Sequence, residues 1–209
     1  MRNLSISACR QKAHTPRQPR AAISQQRGFS LLEVLISVII LSFGVLGMVG
    51  LQATALQANR DARLQSTASS LARELAEMMR GNRVVTSQSS NPYLNDFTAP
   101  LTPVTASYCL NASATTACAD ATAVANAQMT EWLARVKAEL PGAHVKVCVD
   151  AAPIASSGYP TWDCATGTNP TTFIKIGWTR GSTDRSSGST PLDAATRPSI
   201  VFPVAPGIQ

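Results

Sequence analysis

The sequence predicts an α+β protein in which one long N-terminal helix packs on a small antiparallel sheet. No proline occurs from Phe29 to Met79, so a single helix can run through this whole stretch. The first part of the stretch is apolar and the second part is amphipathic. Three strand candidates follow near the C-terminus, and the first two show the alternation of apolar side chains that is typical of strands.

A basic leader precedes the helix. Residues 1–28 contain six of the 18 Lys and Arg residues and no acid, so they are expected to stay on the cytoplasmic side of a membrane. Removing them would leave 181 of the 209 residues, with 12 basic and 12 acidic side chains. The formal charge of +6 therefore belongs to the leader. The neutral remainder gives no electrostatic reason to expect binding to nucleic acid.

The run from Val34 to Leu51 is polar only at Ser37 and Ser42. With the apolar residues just before it, this run is long enough to cross a bilayer, which takes about 20 apolar residues. We therefore predict a transmembrane segment over residues 29–51, inside a helix over residues 29–82.

Glu33 is a carboxylate near one end of this otherwise uncharged segment. A charge inside a bilayer costs roughly 2.5 kcal/mol or more, so its presence indicates a function and a partner. Cleavage between Gly28 and Phe29 would supply such a partner, because a new α-ammonium group would form four residues before this carboxylate. The simpler alternatives are an ordinary signal peptide or a plain anchor helix, and Ala53-Thr54-Ala55 offers an A-x-A cleavage pattern. Against a signal peptide, the apolar run is longer than the usual 7–15 or so residues.

The second half of the helix is amphipathic. An apolar stripe at helical spacing consists of Leu64, Ala68, Leu71, Leu75 and Met78. Charged residues occupy the opposite face, and Gly81-Asn82 is a helix stop signal. The stripe is interpreted as the seat of a globular head over residues 83–209.

The head begins with a connector that leads into a second helix. Residues 84–125 are rich in Ser, Thr, Asn and Pro, which is typical of irregular structure. A short amphipathic helix is then predicted from the spacing of Met129, Trp132, Leu133, Val136 and Leu140. It ends at Pro141-Gly142. Trp132 and Trp178 are expected in the core, whereas the place of Trp162 is left open.

Strands are predicted over residues 143–150, 172–180 and 199–204. The apolar faces of the first two are formed by Val145, Val147 and Val149 and by Ile174, Ile176 and Trp178. Lys175 is expected on the opposite face of its strand. The third strand is expected at an edge, because Pro203 cannot donate to a ladder. Residues 181–191, rich in Ser and Gly, are expected to be mobile.

Cys9 lies in the leader, and the other four cysteines lie in a part of the chain that is expected to be exported. Disulfides persist outside the cytoplasm, and four cysteines allow three connectivities. We expect Cys109–Cys118 and Cys148–Cys164, because this pairing closes the two short loops. A metal site is not indicated, since no C-x-x-C occurs and His144 is the only histidine after the leader.

No pattern in the sequence indicates catalysis. His144 alternates with the valine face of its strand, which is more typical of a surface strand residue than of a base. Neither a G-x-x-x-x-G-K-[ST] phosphate loop nor a G-x-G-x-x-G fingerprint occurs. We therefore expect no catalytic residue and no cofactor. A membrane-anchored exported enzyme is kept as an alternative.

Gly28-Phe29-Ser30-Leu31-Leu32-Glu33 behind a basic leader resembles the cleavage and methylation site of type IV prepilins. The resemblance implies a pilin-like fold. It also implies that a prepilin peptidase cuts after Gly28 and N-methylates Phe29. Glu33 would then offset the terminal amine of a neighbouring subunit during assembly.

Within this family, the segments from Gly44 to Ala53 and from Leu75 to Asn82 resemble the PilV-type minor pilins, also called type IV pilus modification proteins. This implies a subunit that takes part in assembly and initiation of a type IV pilus by helix-bundle packing. Its partners would be major and minor pilins, the prepilin peptidase and the inner-membrane assembly machinery. The chain would cross the inner membrane once with its head in the periplasm, and later join the pilus, or fimbrium, at the cell surface.

Two related functions are kept as alternatives. A type II secretion pseudopilin shares the N-terminal features. A DNA-binding minor pilin would place basic residues on one exposed face of the head. The candidates for that face are Lys137, Lys146, Lys175, Arg180 and Arg185.

Overall fold

The computed structural model describes residues 28, 30–88, 90–181, 192–193 and 196–204. The leader before Gly28, Phe29 and nearly all of the segment 181–191 lie outside the described residues. The helices are α1 (Leu31–Gly81), α2 (Arg83–Thr86) and α3 (Ala121–Glu139). The strands are β1 (Asn95–Phe97), β2 (His144–Asp150), β3 (Thr171–Gly177), β4 (Arg180–Gly181), β5 (Leu192–Asp193) and β6 (Ile200–Val204).

The chain forms two compact units, one up to Val49 and one from Gly50 onward. In the first unit, every described residue is exposed. The second unit holds a four-stranded antiparallel sheet in the order β1-β2-β3-β6 and a separate β4-β5 ladder. The predicted α+β class is confirmed, and β6 lies at an edge of its sheet, as expected from Pro203.

The second half of α1 supplies one side of the core. Its fully or almost fully buried residues are Ala68, Leu71, Ala72, Leu75, Ala76 and Met79. Leu64 and Met78, the ends of the predicted stripe, are partly buried against this core. The buried stripe is therefore wider than the predicted one, because small alanine side chains are buried beside the leucines.

Helix α3 begins at Ala121, earlier than the sequence predicts. Asp120 caps it, since its carboxylate accepts a hydrogen bond from the backbone N–H of Ala123 at 2.7 Å. The first turns are rich in alanine, which is why apolar periodicity alone places the start later. All five residues of the predicted apolar stripe of α3 are buried.

The turn after α3 requires a glycine. Gly142 has a φ of +56°, and a Cβ there would lie 2.1 Å from Thr179 Oγ1. The Thr179 backbone N–H donates to the carbonyl of Pro141 at 2.9 Å. A side chain at position 142 would therefore push the segment after β3 away from the turn.

The predicted irregular connector is more ordered than its composition indicates. It contains most of α2 and all of β1, and five of its apolar side chains enter the core: Val85, Tyr93, Phe97, Leu101 and Ala125. Strand β1 has only three residues, which pair with residues 145–147 of β2. These elements depend on contacts with the rest of the head, which local propensity does not report.

The ends of β2 and β3 depart from the expected alternation. Val149, assigned to the apolar face, is 46% exposed, whereas Asp150 is 1% exposed. Lys175 is fully buried, although its strand face was expected to be polar. The loop after β2, residues 151–165, explains the burial of Lys175, because it covers the sheet face on which Lys175 lies. Lys175 Nζ donates to the Thr161 carbonyl of this loop, and the Ala165 N–H donates to the Asp150 carboxylate.

Lys175 makes three hydrogen bonds in this buried place. Its Nζ donates to Asp150 Oδ2 at 2.6 Å and to the carbonyls of Thr161 and Asp163 at 2.9 and 2.5 Å. The three N–H groups of the ammonium are thus all used. The salt bridge has no exposed side-chain surface on either partner.

The carboxylate of Asp150 is equally well satisfied. Its Oδ1 accepts from the backbone N–H groups of Ala152 and Ala165 at 2.8 and 2.9 Å. Burial raises the pKa of Asp150, but these hydrogen bonds and the Lys175 ammonium outweigh burial and lower the pKa below its usual value. The Asp150 carboxylate is therefore ionised at neutral pH.

Two cysteine pairs lie at disulfide distance, Cys109 with Cys118 and Cys148 with Cys164. These are the pairs that close the two short loops. The first lies in the connector. The second joins β2 to the loop that covers Lys175.

We predict that Lys175→Met destabilises the folded protein by about 3–5 kcal/mol, because it leaves the Asp150 carboxylate buried without its partner. Chemical denaturation of the detergent-solubilised chain, followed by circular dichroism, measures the change. Lys146→Met is the matched control, since this lysine pairs with Asp96 at the surface and its loss should cost less than about 1 kcal/mol. Equal effects of the two substitutions would contradict the prediction.

Candidate functional site

The N-terminal end of α1 is built around Ser30. Its Oγ accepts from the backbone N–H of Leu32 at 3.3 Å, and its carbonyl accepts from that of Glu33 at 2.9 Å. Ser30 thus caps the helix, as serine commonly does. Of the three residues singled out in the sequence, Gly28 and Glu33 lie at this exposed end. Phe29 lies outside the described residues.

Glu33 occupies the first turn of α1 and is exposed. The positive end of the helix dipole favours a carboxylate in this position. Among the salt bridges of the described residues, none involves Glu33. The carboxylate is therefore open to a cation from outside the described part of the chain.

The side chains that follow Glu33 form a continuous apolar surface. Every Leu, Ile, Val, Phe and Met from Leu31 to Val49 is 47–90% exposed. By length and composition α1 can cross a membrane, although no membrane is present in the structure. An exposed apolar surface of this extent is unfavourable in water, so it must be covered by lipid or by other apolar helices. It suits membrane anchoring.

The polar side chains of this segment are satisfied by the helix itself. Ser37 Oγ donates to the Glu33 carbonyl and Ser42 Oγ donates to the Val38 carbonyl, each at 2.7 Å. Both hydroxyls therefore need no external hydrogen-bond partner. This removes most of the free-energy cost of placing them in an apolar medium. Glu33 is then the one side chain of the described helix before Val49 with an unmet need for a polar partner.

Three glycines interrupt the apolar segment. A Cβ placed on Gly44, Gly47 or Gly50 would meet nothing within 4 Å. In a water-exposed helix each glycine would lower the stability of the helix by roughly 0.5–1 kcal/mol relative to alanine. No contact within the described chain explains them. Small residues do allow close approach between helices in an apolar medium.

Gly28 also lies in open space, since a Cβ at this residue would meet no atom within 4 Å. Its φ is not in the left-handed region that favours glycine. Neither packing nor backbone conformation within the described chain therefore requires a glycine here. A requirement for glycine would have to come from a protein that handles this segment.

The head carries a polar cluster at one surface of the sheet. His144 stacks on Trp162 with ring centroids 3.7 Å apart, and its Nε2 lies 2.6 Å from Asp96 Oδ1. Lys146 Nζ lies 3.1 Å from the other oxygen of Asp96. Partial burial raises the pKa of Asp96, but its bonds to His144 and Lys146 outweigh this and lower it. Trp162, whose place the sequence left open, thus packs on a histidine.

Of the basic residues proposed for a DNA-binding face, two of the four that the structure describes are not exposed. Lys175 was wrongly counted as accessible, because it is buried beneath the loop after β2. Lys146 is paired with Asp96. Arg185 lies outside the described residues. Only Lys137 and Arg180 of the five are exposed in the described part of the chain.

Asp150, Cys148 and Cys164 could in principle hold a metal ion, since their ligand atoms lie within 4.8 Å of one another. The two sulfurs are joined to each other, so they do not act as thiolate ligands. The carboxylate is already occupied by Lys175 and two backbone N–H groups. This cluster is therefore a structural junction.

Sequence reasoning missed this buried junction and the contacts between α1 and α3. Arg135 of α3 makes a bidentate ion pair with Glu74 of α1, and Trp132 Nε1 donates to the Leu71 carbonyl at 3.0 Å. The tryptophan was expected in the core, and it is fully buried. A lysine in the middle of an apolar strand was the available signal for the junction, but a lysine alone does not identify its partner.

Two protein families match consecutive parts of the chain. The family described as "Prokaryotic N-terminal methylation motif" matches residues 23–49, and the family described as "Type IV pilin Tt1218" matches residues 50–133. The junction between the matches coincides with the division between the two compact units. No curated protein and no solved structure matches the chain significantly. The methylation motif, the apolar helix that it introduces and the pilin match that follows show that the chain belongs to the type IV pilin family.

Proposed function

We propose that this chain is a PilV-type minor pilin that takes part in the assembly and initiation of a type IV pilus. The observation that carries the proposal is the exposed apolar half of α1, whose hydroxyls are satisfied within the helix. Such a surface has to be covered by lipid first and by other helices afterwards. Assembly, without any catalytic step, is the function that this surface supports.

The proposal includes processing and location. A prepilin peptidase cuts after Gly28 and N-methylates Phe29, which removes the basic leader. The chain then crosses the inner membrane once, with its head in the periplasm, before it moves into the pilus at the cell surface. The positive charge of the leader and the two paired sets of cysteines support this orientation.

The driving forces of assembly follow from the helix. Apolar side chains exchange lipid contacts for contacts with other pilin helices, so packing and polar pairing decide the association. The glycines allow the helices to approach closely. The carboxylate of Glu33 would meet the terminal ammonium of a neighbouring subunit. Both charges lie in an apolar medium, so each lowers the cost of burying the other.

A pseudopilin of a type II secretion system is the second candidate within the same family. It would use the same cleavage, the same methylation and the same helix packing. The difference lies in the machine that the chain joins, and the N-terminal features do not separate the two.

The first prediction concerns processing. Mature protein from membranes should begin at Phe29, carry one added methyl group and retain the whole apolar helix, and intact-mass spectrometry measures this. Gly28→Leu should abolish cleavage, because the peptidase must approach the backbone closely there. Gly44→Leu also meets open space and should be processed normally. A mature chain that begins at Leu56, as signal peptidase cleavage after Ala55 would give, contradicts the proposal.

The second prediction concerns Glu33. Glu33→Val should be cleaved and methylated normally, yet its amount in sheared filaments should fall by at least about tenfold, since one unpaired charge in an apolar medium costs several kcal/mol. Quantitative immunoblots of membranes and filaments measure the distribution. Glu77→Val on the exposed face of the second half of α1 is the control, and it should enter filaments as wild type does. Normal incorporation of Glu33→Val would remove the assigned role.

The third prediction separates the two machines. Deleting the gene should reduce surface pili and twitching motility and leave exoprotein secretion unchanged. Piliation, motility and secretion are scored in the same strains, with complementation by the wild-type gene as the control. Loss of secretion with normal piliation would favour the pseudopilin.

A further inference from the structure

The second cysteine pair is partly buried and lies next to the buried ion pair of Lys175 and Asp150. Asp150 follows Cys148 by two residues, and Asp163 and Ala165 flank Cys164 on either side. The carbonyl of Asp163 accepts from Lys175 Nζ at 2.5 Å, and the N–H of Ala165 donates to Asp150 Oδ1 at 2.9 Å. Both chain neighbours of Cys164 are therefore held by the same ion pair.

These bonds do not involve sulfur. Two more bonds from the pair reach the loop, at the carbonyl of Thr161 and the N–H of Ala152. A backbone bond from Ala151 N–H to the Ala165 carbonyl at 2.9 Å closes the loop at its base. The whole set can therefore form in a chain whose cysteines are still reduced.

We propose that Lys175 and Asp150 are positioning residues for oxidative folding, which dock the loop over residues 151–165 before its disulfide exists and so direct Cys164 to Cys148. The inference concerns how the head matures, and it holds for a subunit of either machine. It assigns to the buried lysine a role that neither assembly nor processing uses.

The oxidant in this step is a disulfide of a protein or of glutathione. The thiolate of one cysteine attacks that disulfide, forms a mixed disulfide and releases one thiol. The second cysteine then attacks the mixed disulfide and releases the second thiol. Two protein thiols lose two electrons and two protons, and the oxidant's disulfide gains both. The second attack is intramolecular, so its rate rises with the effective concentration of one sulfur at the other.

Stability alone does not account for the ion pair. Replacing a buried pair by apolar residues of similar volume is often neutral or stabilising, so an isoleucine on this strand could fill the space. Apolar contacts would not, however, bind the carbonyl of Asp163 and the N–H of Ala165 at fixed points. The pair supplies directional bonds on both sides of Cys164, and such bonds set the position of a loop.

The deciding experiment asks whether the loop docks without its disulfide. The full-length chain carrying Cys148→Ala and Cys164→Ala is labelled in detergent with an amine-acylating reagent, and each lysine is quantified by peptide mass spectrometry. Lys175 should react at least about 30 times more slowly than the exposed Lys137, a protection that corresponds to about 2 kcal/mol. Equal reactivity of Lys175 and Lys137 would overturn the proposal. It would show that the loop does not dock without its disulfide, whether the loop alone or the whole head has opened.

A second experiment measures pairing directly. The reduced chain with all four head cysteines is oxidised with glutathione disulfide, quenched by alkylation and mapped without reduction. Lys175→Met should slow the joining of Cys148 to Cys164 at least tenfold and give detectable Cys118–Cys148 product. The joining of Cys109 to Cys118 in the same sample is the internal control, and Lys146→Met is the matched lysine control.

The outcomes of the second experiment separate a local effect from a general one. A selective loss at Cys148–Cys164 supports the proposal, and Asp150→Asn should reproduce it in part because the amide keeps one acceptor. A wild-type rate in Lys175→Met overturns it. Equal slowing of both pairs also overturns it, since that result reports only a failure of the head to fold.

Discussion

The burial of one stripe of α1 is the constraint on which the head depends. Six residues between Ala68 and Met79 are buried, and they belong to one core with α3 and the sheet. The indole of Trp132 crosses from α3 to the Leu71 carbonyl, and the Glu74–Arg135 pair lies beside it. The buried indole N–H would cost about 1–3 kcal/mol if it were unpaired, so this contact fixes the height of α3 along α1.

The part of α1 up to Val49 differs from this packed stripe, because each of its residues is exposed. The residues that identify it as a pilin segment are not explained by contacts within the described chain. The glycines meet open space, and Glu33 has no cation among the described salt bridges. Residues of this kind indicate a surface that a partner covers. The buried stripe in the second half of α1 is instead covered by the chain's own head.

The sequence predicted the elements whose signals are local. Helical spacing identified the second half of α1 and the stripe of α3, and alternation identified β2 and β3; β6 was also predicted. It did not predict α2, β1 or the β4–β5 ladder, because elements of two to four residues gain their stability from pairing and not from propensity. The N-terminal methylation motif was recognisable from the sequence, since such a motif is defined by the order of its residues. Phe29 itself lies outside the described residues.

The misassignment of Lys175 has a physical cause. Alternation assumes a sheet with one solvent-exposed face, and the loop after β2 covers that face at Lys175. The loop does not cover the sheet by apolar burial, since its Ile154 and Tyr159 are 48% and 56% exposed. Its Trp162 stacks on His144, and the other attachments of the loop are one disulfide and the bonds of Asp150 and Lys175. Buried charged residues that hold a covering loop produce no periodic pattern in the sequence. The covered face of the sheet was therefore identified only from the structure.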